Sequence, residues 1–321
     1  MKYSYSQIKT FGKCQYKWHL NYKEGLVPPP SNVMSFGKFG HKMIENTLLG
    51  RDILHDIVVG EGEFDMTEMQ EIQDMLDDCR SVVELFLKTL PLSDWETVVV
   101  DGEPLIEKKL EMDLGRGTQY IGYIDWVARN KSSGQVWLWD FKFRGSFLPD
   151  WSEELDLQKP TYMKHLYDLG IVPIGTISCQ IKNKAPKVPV LTKKGGLSKA
   201  RITTTWETYL KAIVDNGLDP ADYEDMKEKL AGNSWFQLSR SFRQPEEIER
   251  TWNDVFLRTV DKIETQWASD TPPPRSIDFM SCNMCQFRDV CIEDLKGRDT
   301  EDLKALFNRR EKQHASNQTF Q

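Results

Sequence analysis

The amino-acid sequence predicts an α/β protein with a mixed central sheet flanked by helices. Apolar residues recur at helical spacing through the first ninety residues. Runs rich in β-branched and aromatic residues follow between about 97 and 143. After them the helix and strand patterns alternate, which is typical of a sheet covered by helices. The 321 residues are enough for one large domain with a sizeable core.

The N-terminal part contains three predicted helices. The first begins with Ser4 or Ser6 as its N-cap. A proline-rich stretch at 27–32 breaks the chain, and a second helix follows at about 36–49. The third, at about 67–90, has a continuous apolar stripe, which we assign to the core and not to function.

The middle of the chain is predicted to form the sheet. Strand patterns lie, in order, at about 97–100, 105–112, 120–129, 135–143 and 174–181. A helix at about 156–169 separates the last two strands. Because a helical crossover joins parallel strands and short turns join antiparallel ones, we expect a mixed sheet. A further helix at about 205–215, a strand near 235–242 and a long helix at about 245–267 complete the pattern.

Composition favours an ordinary soluble protein, with 39% hydrophobic and 28% charged residues. No apolar run approaches the roughly 20 residues of a membrane span, so we expect no membrane association. The first residues contain no apolar signal region, which makes the cytoplasm the expected location. In a reducing compartment, six cysteines favour metal binding or core packing over disulfides.

Charge is unevenly distributed along this acidic chain, whose net charge is −7. Residues 61–84 carry nine acidic side chains and one basic one, whereas residues 182–201 carry seven basic side chains and no acid. The basic segment suits a phosphate backbone. A solvated loop interrupted by Pro and Gly explains it equally well.

A carboxylate–lysine pattern stands in the predicted sheet. Asp125 lies in one strand, and Asp140 and Lys142 share one face of the next because side chains alternate along a strand. A turn at Ser132–Gly134 folds the two strands into a hairpin that brings Asp125 beside them. Converging carboxylates need a cation, and hard oxygen ligands favour Mg²⁺ or Mn²⁺. An isolated Asp-x-Lys is usually a surface pair, but the apolar residues around Asp140 indicate a buried strand, where such a pair is costly.

The motifs GYID at 122–125 and DFK at 140–142 resemble the PD-(D/E)XK nuclease superfamily, and within it the RecB-like branch. That branch adds an upstream helical His and a downstream Gln-x3-Tyr. His41 and the pair Gln158 and Tyr162 match them in the same order along the chain. The resemblance departs from the superfamily name in one respect, since Ile124 stands where a proline is expected.

This resemblance implies a restriction-endonuclease-like core and a set of roles. His41, Asp125, Asp140 and the backbone carbonyl of Phe141 would bind Mg²⁺ or Mn²⁺. Lys142 would be the catalytic lysine, and Gln158 and Tyr162 would support the site or contact DNA. Glu107, in the strand before Asp125, is a weaker candidate for an accessory acid.

Four cysteines bracket the chain: Cys14 near one end, and Cys282, Cys285 and Cys291 near the other. Four thiolates suit zinc or an iron–sulfur cluster. The cysteine segments resemble those of RecB-like members, AddB-type and CRISPR-adaptation nucleases among them, that hold a 4Fe–4S cluster, so a 4Fe–4S clasp joining the termini is the favoured interpretation. Zinc and unligated cysteines stay open.

The resemblance implies a metal-dependent DNA nuclease, an exonuclease acting on single-stranded DNA or DNA ends in recombination, replication or repair. It is strongest to stand-alone phage or bacterial exonucleases, in a bacterial or phage-infected cell. One RecB-like domain would span 1–295, with a helical insertion at about 50–95, and 296–321 would be a polar tail. No Walker-type loop is present, which leaves open a helicase or recombination partner encoded elsewhere. The alternatives are a non-catalytic DNA-binding subunit of a helicase–nuclease machine, and a CRISPR-adaptation or RNA-processing nuclease.

Overall fold

The computed structural model describes residues 1–28, 32–57, 66–200 and 202–310. The strands are β1 Lys2–Ser4, β2 Leu26–Val27, β3 Trp95–Thr97, β4 Val99–Val100, β5 Glu103–Pro104, β6 Ile106–Gly115, β7 Thr118–Asn130, β8 Val136–Arg144, β9 Gly175–Lys182, β10 Phe236–Phe242 and β11 Asn308–Arg309. The α-helices are α1 Tyr5–Lys13, α2 Gln15–Trp18, α3 Asn32–Leu48, α4 Met66–Thr89, α5 Gln158–Asp168, α6 Trp206–Asp215, α7 Glu224–Leu230, α8 Pro245–Thr251, α9 Arg258–Ala268, α10 Phe279–Asn283, α11 Arg288–Leu295 and α12 Glu301–Lys304.

A seven-stranded mixed sheet forms the centre, with β7 as its longest strand. β6 and β3 pair antiparallel with one side of β7. On its other side, β1 pairs in parallel with residues 119–121 and β8 pairs antiparallel with residues 126–129. β9 continues the sheet in parallel with β8, and β10 follows antiparallel to β9. The parallel step from β8 to β9 is made through α5, as the sequence pattern predicts.

Two hydrophobic layers cover the sheet. On one face α3 and α4 pack over tryptophans and Phe141 of β7 and β8. On the other face α1, α5, α8 and α9 pack over Tyr120, Ile124 and Leu138. The predicted stripe of α4 is part of the first layer through Val83, Phe86 and Leu90, which confirms its assignment to the core in this half of the helix. At its start the prediction is wrong, because Met69 is 59% exposed.

Two satellite clusters lie outside these layers. One joins α6, α7 and Leu197 into a small unit of buried apolar residues. The other contains Tyr16, Leu20, Leu26, Phe287 and Val290, and so ties the start of the chain to residues near its end. β2 and β11 pair beside it and make the same connection through backbone hydrogen bonds.

Most predicted elements are confirmed, with shifts at their ends. Ser4 is the N-cap of α1, its side chain accepting from the Gln7 amide. The predicted first helix is divided, however, because Cys14 takes an extended conformation between α1 and α2. The sequence patterns missed β1, whose few residues are too short for a periodic signal.

Some predictions fall on parts of the chain outside the described residues. These are the centre of the proline-rich break, positions 58–65 of the acidic segment and predicted insertion, Arg201 of the basic segment, and positions 311–321 of the predicted tail. Within that tail segment, α12 and β11 are formed, and β11 pairs with β2. The division of the chain into a nuclease domain and a tail stays a prediction. No helix in the described ranges is long and apolar enough to span a bilayer.

Candidate active site and metal centre

The candidate site lies where β7 and β8 separate, a place that we call the fork. Their ladder ends at the pair Trp126 and Trp139, and the next residues on the two strands are Asp125 and Asp140. Beyond this point the Phe141 amide lacks a strand partner on the β7 side, and it donates instead to Asp125 Oδ2 at 2.6 Å. The Asp125 carboxylate therefore replaces a neighbouring strand as the hydrogen-bond acceptor of this amide. The same hydrogen bond fixes the position of the carboxylate.

α3 brings His41 to the fork. Its Nδ1 atom lies 2.8 Å from Glu107 Oε1 and 3.8 Å from Asp125 Oδ1. One ligand atom from each of these three side chains lies within 4.8 Å of the others. Gly40, the residue before His41, lets α3 approach β8 closely, because a Cβ there would overlap the Phe143 ring.

Glu107 reaches His41 from an unusual backbone conformation. Its φ is +44°, in the left-handed region that residues with a side chain rarely adopt. Such a conformation costs of order 1–3 kcal/mol and persists only where the surroundings impose it. The strain coincides with the point at which the Glu107 carboxylate meets His41 and Asp125.

Asp140 and Lys142 form the second half of the site. Lys142 Nζ donates to Asp140 Oδ1 at 2.6 Å, which confirms that the two side chains share a face. Asp140 Oδ2 is buried and has no hydrogen-bond partner. A second ammonium, that of Lys159 on α5, lies 3.9 Å from this oxygen and is held by Glu153 and Ser178.

Burial and neighbouring charge set the protonation states here. Burial raises the pKa of Asp125 to about 6, although His41 and Lys142 oppose the shift. For Asp140, burial also acts upward, but the charges of Lys142 and Lys159 outweigh it and leave the pKa below its usual value. Burial alone would lower the pKa of His41, yet Asp125 and Glu107 raise it to about 9. Without a metal, the His41 proton thus supplies positive charge between the carboxylates.

The predicted Gln-x3-Tyr pair borders the fork on the face of the sheet that α5 covers. α5 begins at Gln158, so Pro160 falls in its first turn and the helix is not bent there. Gln158 Nε2 donates to the Tyr162 hydroxyl at 2.5 Å. Burial raises the pKa of Tyr162 to about 12. Its ring packs over Gly122, where an added Cβ would lie 2.5 Å from a ring carbon.

Comparison with known proteins identifies the family. Residues 2–292 match the family model described as the PD-(D/E)XK nuclease superfamily. The chain belongs to the PD-(D/E)XK nuclease superfamily. Among solved structures, it is similar to a candidate exonuclease from Eubacterium rectale, with 12% identity, 91% of each chain covered and a TM-score of 0.41. It is also similar to the protein named SSO0001, with 12% identity, 90% of this chain and 85% of that one covered, and a TM-score of 0.33. No curated protein matches it.

The donors at the fork suit the divalent ion that nucleases of this superfamily use. An imidazole and two carboxylates already converge, and Asp140 Oδ2 is a buried oxygen that still lacks a hydrogen-bond partner. Phe141 presents its N–H toward the fork, and in an extended strand the carbonyl of the same residue points to the same side. Hard oxygen donors with one imidazole fit Mg²⁺ or Mn²⁺.

The cysteines predicted to form a cluster lie around the satellite core that joins the two chain ends. Cys14, Cys285 and Cys291 pack against it, and Cys282 lies in α10 one turn before Cys285. Burial raises the pKa of the Cys291 thiol, Arg275 opposes that shift, and the neighbouring Cys14 and Cys285 add to it. We call this region, Cys14 with 275–295, the clasp.

Polar contacts reinforce the clasp. The Tyr16 hydroxyl donates to Asp294 Oδ2 at 2.8 Å, and Arg275 pairs with the same carboxylate. The Arg275 guanidinium also lies 3.9 Å from the centre of the Tyr16 ring. These contacts connect α2 with α11 independently of the cysteines.

The predicted basic segment forms a loop with a tight turn at Thr192–Gly195. Lys193 and Lys194 are exposed at the turn. Lys199 is paired with Asp225 at 2.6 Å, so its charge is partly compensated. The structure therefore leaves fewer free cations in this loop than the sequence count indicates.

Two features of the site were underestimated or missed by sequence reasoning. Glu107 was ranked as a weak accessory candidate, yet it makes the shortest contact to His41. Lys159 and its partners Glu153 and Ser178 gave no motif at all. Their only sequence signal is a lysine inside the Gln-x3-Tyr segment, and only the fold shows that it is buried.

Proposed function

We propose that this protein is a metal-dependent DNA nuclease that hydrolyses phosphodiester bonds, acting as an exonuclease on single-stranded DNA or DNA ends. The observation that carries the proposal is the convergence at the β7–β8 fork of His41, Glu107 and Asp125 with the Asp140–Lys142 pair. A family match alone would fit an inactive relative as well. A complete set of donors with a lysine beside them favours catalysis.

The fork residues have two proposed roles: most would bind the metal ion, and Lys142 would act on the reacting groups. His41, Asp125, Asp140 and the Phe141 carbonyl would hold the divalent ion, with Glu107 as a further ligand or as the hydrogen-bond partner that orients His41. The bound ion would polarise the phosphate and lower the pKa of the attacking water. Lys142 lies within reach of Asp140 and would turn toward the water or a phosphate oxygen, where its ammonium stabilises the developing negative charge.

Gln158 and Tyr162 would act on the opposite face of the fork. Their mutual hydrogen bond fixes the Tyr162 ring over Gly122. Because Tyr162 stays protonated at neutral pH, its hydroxyl can donate to a phosphate oxygen of the DNA. This role combines support of the site with substrate contact.

We further propose that the clasp holds a 4Fe–4S cluster bound by Cys14, Cys282, Cys285 and Cys291. The support is the gathering of Cys14, Cys285 and Cys291 around one small core, with Cys282 one turn before Cys285. Four thiolates suit an iron–sulfur cluster. Its role would be to join the chain ends.

Two other functions share part of this support. A non-catalytic DNA-binding subunit would keep the fold and clasp but has no need for the strained Glu107 or the half-buried Lys142. An RNA-processing or CRISPR-adaptation nuclease would use the same chemistry on another substrate. Recombination, replication or repair with a helicase partner remains the proposed setting.

The test is cleavage of end-labelled linear DNA by anaerobically purified protein. Single-stranded DNA, duplex DNA and RNA of one sequence are incubated with Mg²⁺ or Mn²⁺, with EDTA as the control. We expect metal-dependent shortening of single strands or of duplex ends, and the ladder from each labelled end gives polarity. Preferred cleavage of RNA would reassign the substrate. No cleavage by protein with an intact clasp would favour the non-catalytic function.

A further inference from the structure

A groove of about 760 Å³ lies beside β1, between the segment at 22–25 and β11. Four basic side chains line it: Lys2, Lys23, Arg309 and Arg310. They come from both ends of the chain, which the β2–β11 pair brings together. This concentration of positive charge stands out on a protein whose net charge is −7.

None of these four cations forms an ion pair with a carboxylate in the described part of the chain. Lys23 donates to the carbonyls of Gln266 and Ser269. Arg309 donates to the Glu24 carbonyl at 3.3 Å, and Arg310 donates to the Asn21 side chain at 2.8 Å. Neutral acceptors orient these side chains without cancelling their charge, so the groove keeps a positive field.

Two acids near the groove are paired with cations, and a third, Glu264, interacts with the Tyr3 hydroxyl. Glu24, which contributes to the lining, pairs with Lys304 at 2.9 Å and with His19 at 3.1 Å. Glu111, which interacts with Lys2, has its pKa lowered mainly by its ion pair with Lys109. The net charge facing the groove is therefore positive, which suits a polyanion.

One face of β7 connects the groove to the catalytic fork. Ile121 lines the groove, and Ile121, Tyr123 and Asp125 share a face because side chains alternate along a strand. Asp125 lies four positions along the strand from Ile121, or about 13 Å away. Between them Tyr123 is 54% exposed, whereas its neighbours Gly122 and Ile124 are buried. An exposed aromatic ring in this position offers a surface on which a base can stack.

We propose that this groove binds the sugar–phosphate backbone of single-stranded DNA on one side of the cleavage point. The strand would run from the fork across Tyr123, with a base stacked on its ring, and into the groove between Lys2, Lys23, Arg309 and Arg310. The inference rests on the proposed nuclease function and adds the path of the substrate. Binding through backbone charge and stacking implies little sequence preference.

The test measures fluorescence anisotropy of labelled oligo(dT) in Ca²⁺ or EDTA, at several salt concentrations and lengths. The groove variant is Arg309→Ala/Arg310→Ala. The matched control, Lys211→Ala/Lys227→Ala, removes the same charge from exposed residues of α6 and α7. We expect the groove variant to bind a 20-nucleotide strand about tenfold or more weakly. Loss of two phosphate contacts should also reduce the salt slope by about 1.4.

Length dependence ties the effect to the groove. A strand of four nucleotides can fill the fork alone, so its affinity should differ little between wild type and the groove variant. Equal affinity and equal salt slope for the long strand in wild type, groove variant and control would overturn the proposal. Tighter binding of oligo(rU) than of oligo(dT) would overturn the assignment to DNA.

A second variant covers the case in which the arginine changes loosen the β2–β11 pair. Tyr123→Ala removes the exposed ring and should weaken long-strand binding severalfold, while Tyr123→Phe restores it. Binding unchanged in Tyr123→Ala would exclude the stacking path. Failure of this inference can be told apart from failure of the nuclease function. If wild type cuts DNA but the groove variant binds DNA as tightly as wild type, only the groove proposal is overturned. Wild type that binds through the groove but never cuts overturns only the nuclease.

Discussion

The fork and the clasp are two candidate cofactor sites that differ in how the fold supports their residues. The fork residues lie on long strands and α3, between the two main hydrophobic layers. A backbone amide holds Asp125, and side-chain contacts hold His41 and Asp140. The clasp cysteines lie on short helices and turns around a small satellite core. The comparison teaches that the fold preforms the fork, whereas at the clasp a small core and a few polar contacts join the chain ends, and the proposed cluster would add to them.

The largest effect is expected at the fork. Asp140→Asn or Lys142→Met should lower the cleavage rate at least ~100-fold, because the first removes a charged ligand of the metal ion and the second removes the ammonium that stabilises the reacting phosphate. Stability should change little if the fork is preformed. The control Asp168→Asn removes a half-exposed carboxylate at the end of α5 and should cut normally.

Cleavage assays and thermal unfolding of the same preparations check this pair of expectations. Either variant cutting at the wild-type rate would mean that the fork is not the active site. A large loss of stability in both would contradict a preformed fork.

At the clasp, unlike at the fork, a substitution should lower thermal stability as well as remove the cofactor absorbance. Cys285→Ser should remove absorbance near 400 nm (roughly, for a 4Fe–4S cluster). A crosslink that closes a long loop is worth about 2–5 kcal/mol, so Tm should fall by roughly 4–20 °C at 2–4 °C per kcal/mol. The control is Cys79→Ser. Because Cys79 lies on α4 in the first hydrophobic layer, this variant should keep the absorbance. A colourless, folded wild type that contains zinc would contradict the cluster assignment.

Metal binding at the fork should depend on pH. His41, with its pKa raised to about 9, carries a proton at neutral pH that a metal ion must displace. The apparent affinity for Mn²⁺ should therefore rise about tenfold per pH unit between roughly 7 and 9 and then level off. Below about pH 6, protonation of Asp125 should weaken binding further. Calorimetric titration at several pH values measures this, and an affinity independent of pH would show that His41 is not a ligand.

A glycine pair gives the smallest expected effect and tests local packing. Gly122→Ala places a methyl group against the Tyr162 ring and should cost about 1–3 kcal/mol by overpacking. Gly12→Ala, near the end of α1, meets no atom within 4 Å and should be neutral or stabilise by about 0.5–1 kcal/mol. Chemical denaturation compares the two. Equal stability of both variants would mean that Tyr162 moves freely and does not brace the fork.

The sequence alone determined the element order and the main motif. Runs rich in β-branched and aromatic residues located β7 and β8, and the Asp-x-Lys spacing placed Asp140 and Lys142 on one face, as the structure confirms. The helical stripe of α4 and the N-cap Ser4 were equally readable, because each depends on residues close together in the chain. Local periodicity and capping are properties of short segments, so one sequence is enough to predict them.

Only the tertiary structure decided which distant residues meet. The contact of Glu107 with His41 depends on a strained backbone in β6 and on how closely α3 approaches β8. The burial of Lys159 beside Asp140 depends on how α5 packs over the fork. The groove exists because β2 and β11, from opposite ends of the chain, pair beside β1. Such contacts are set by packing between elements far apart in the sequence, and no local pattern encodes them.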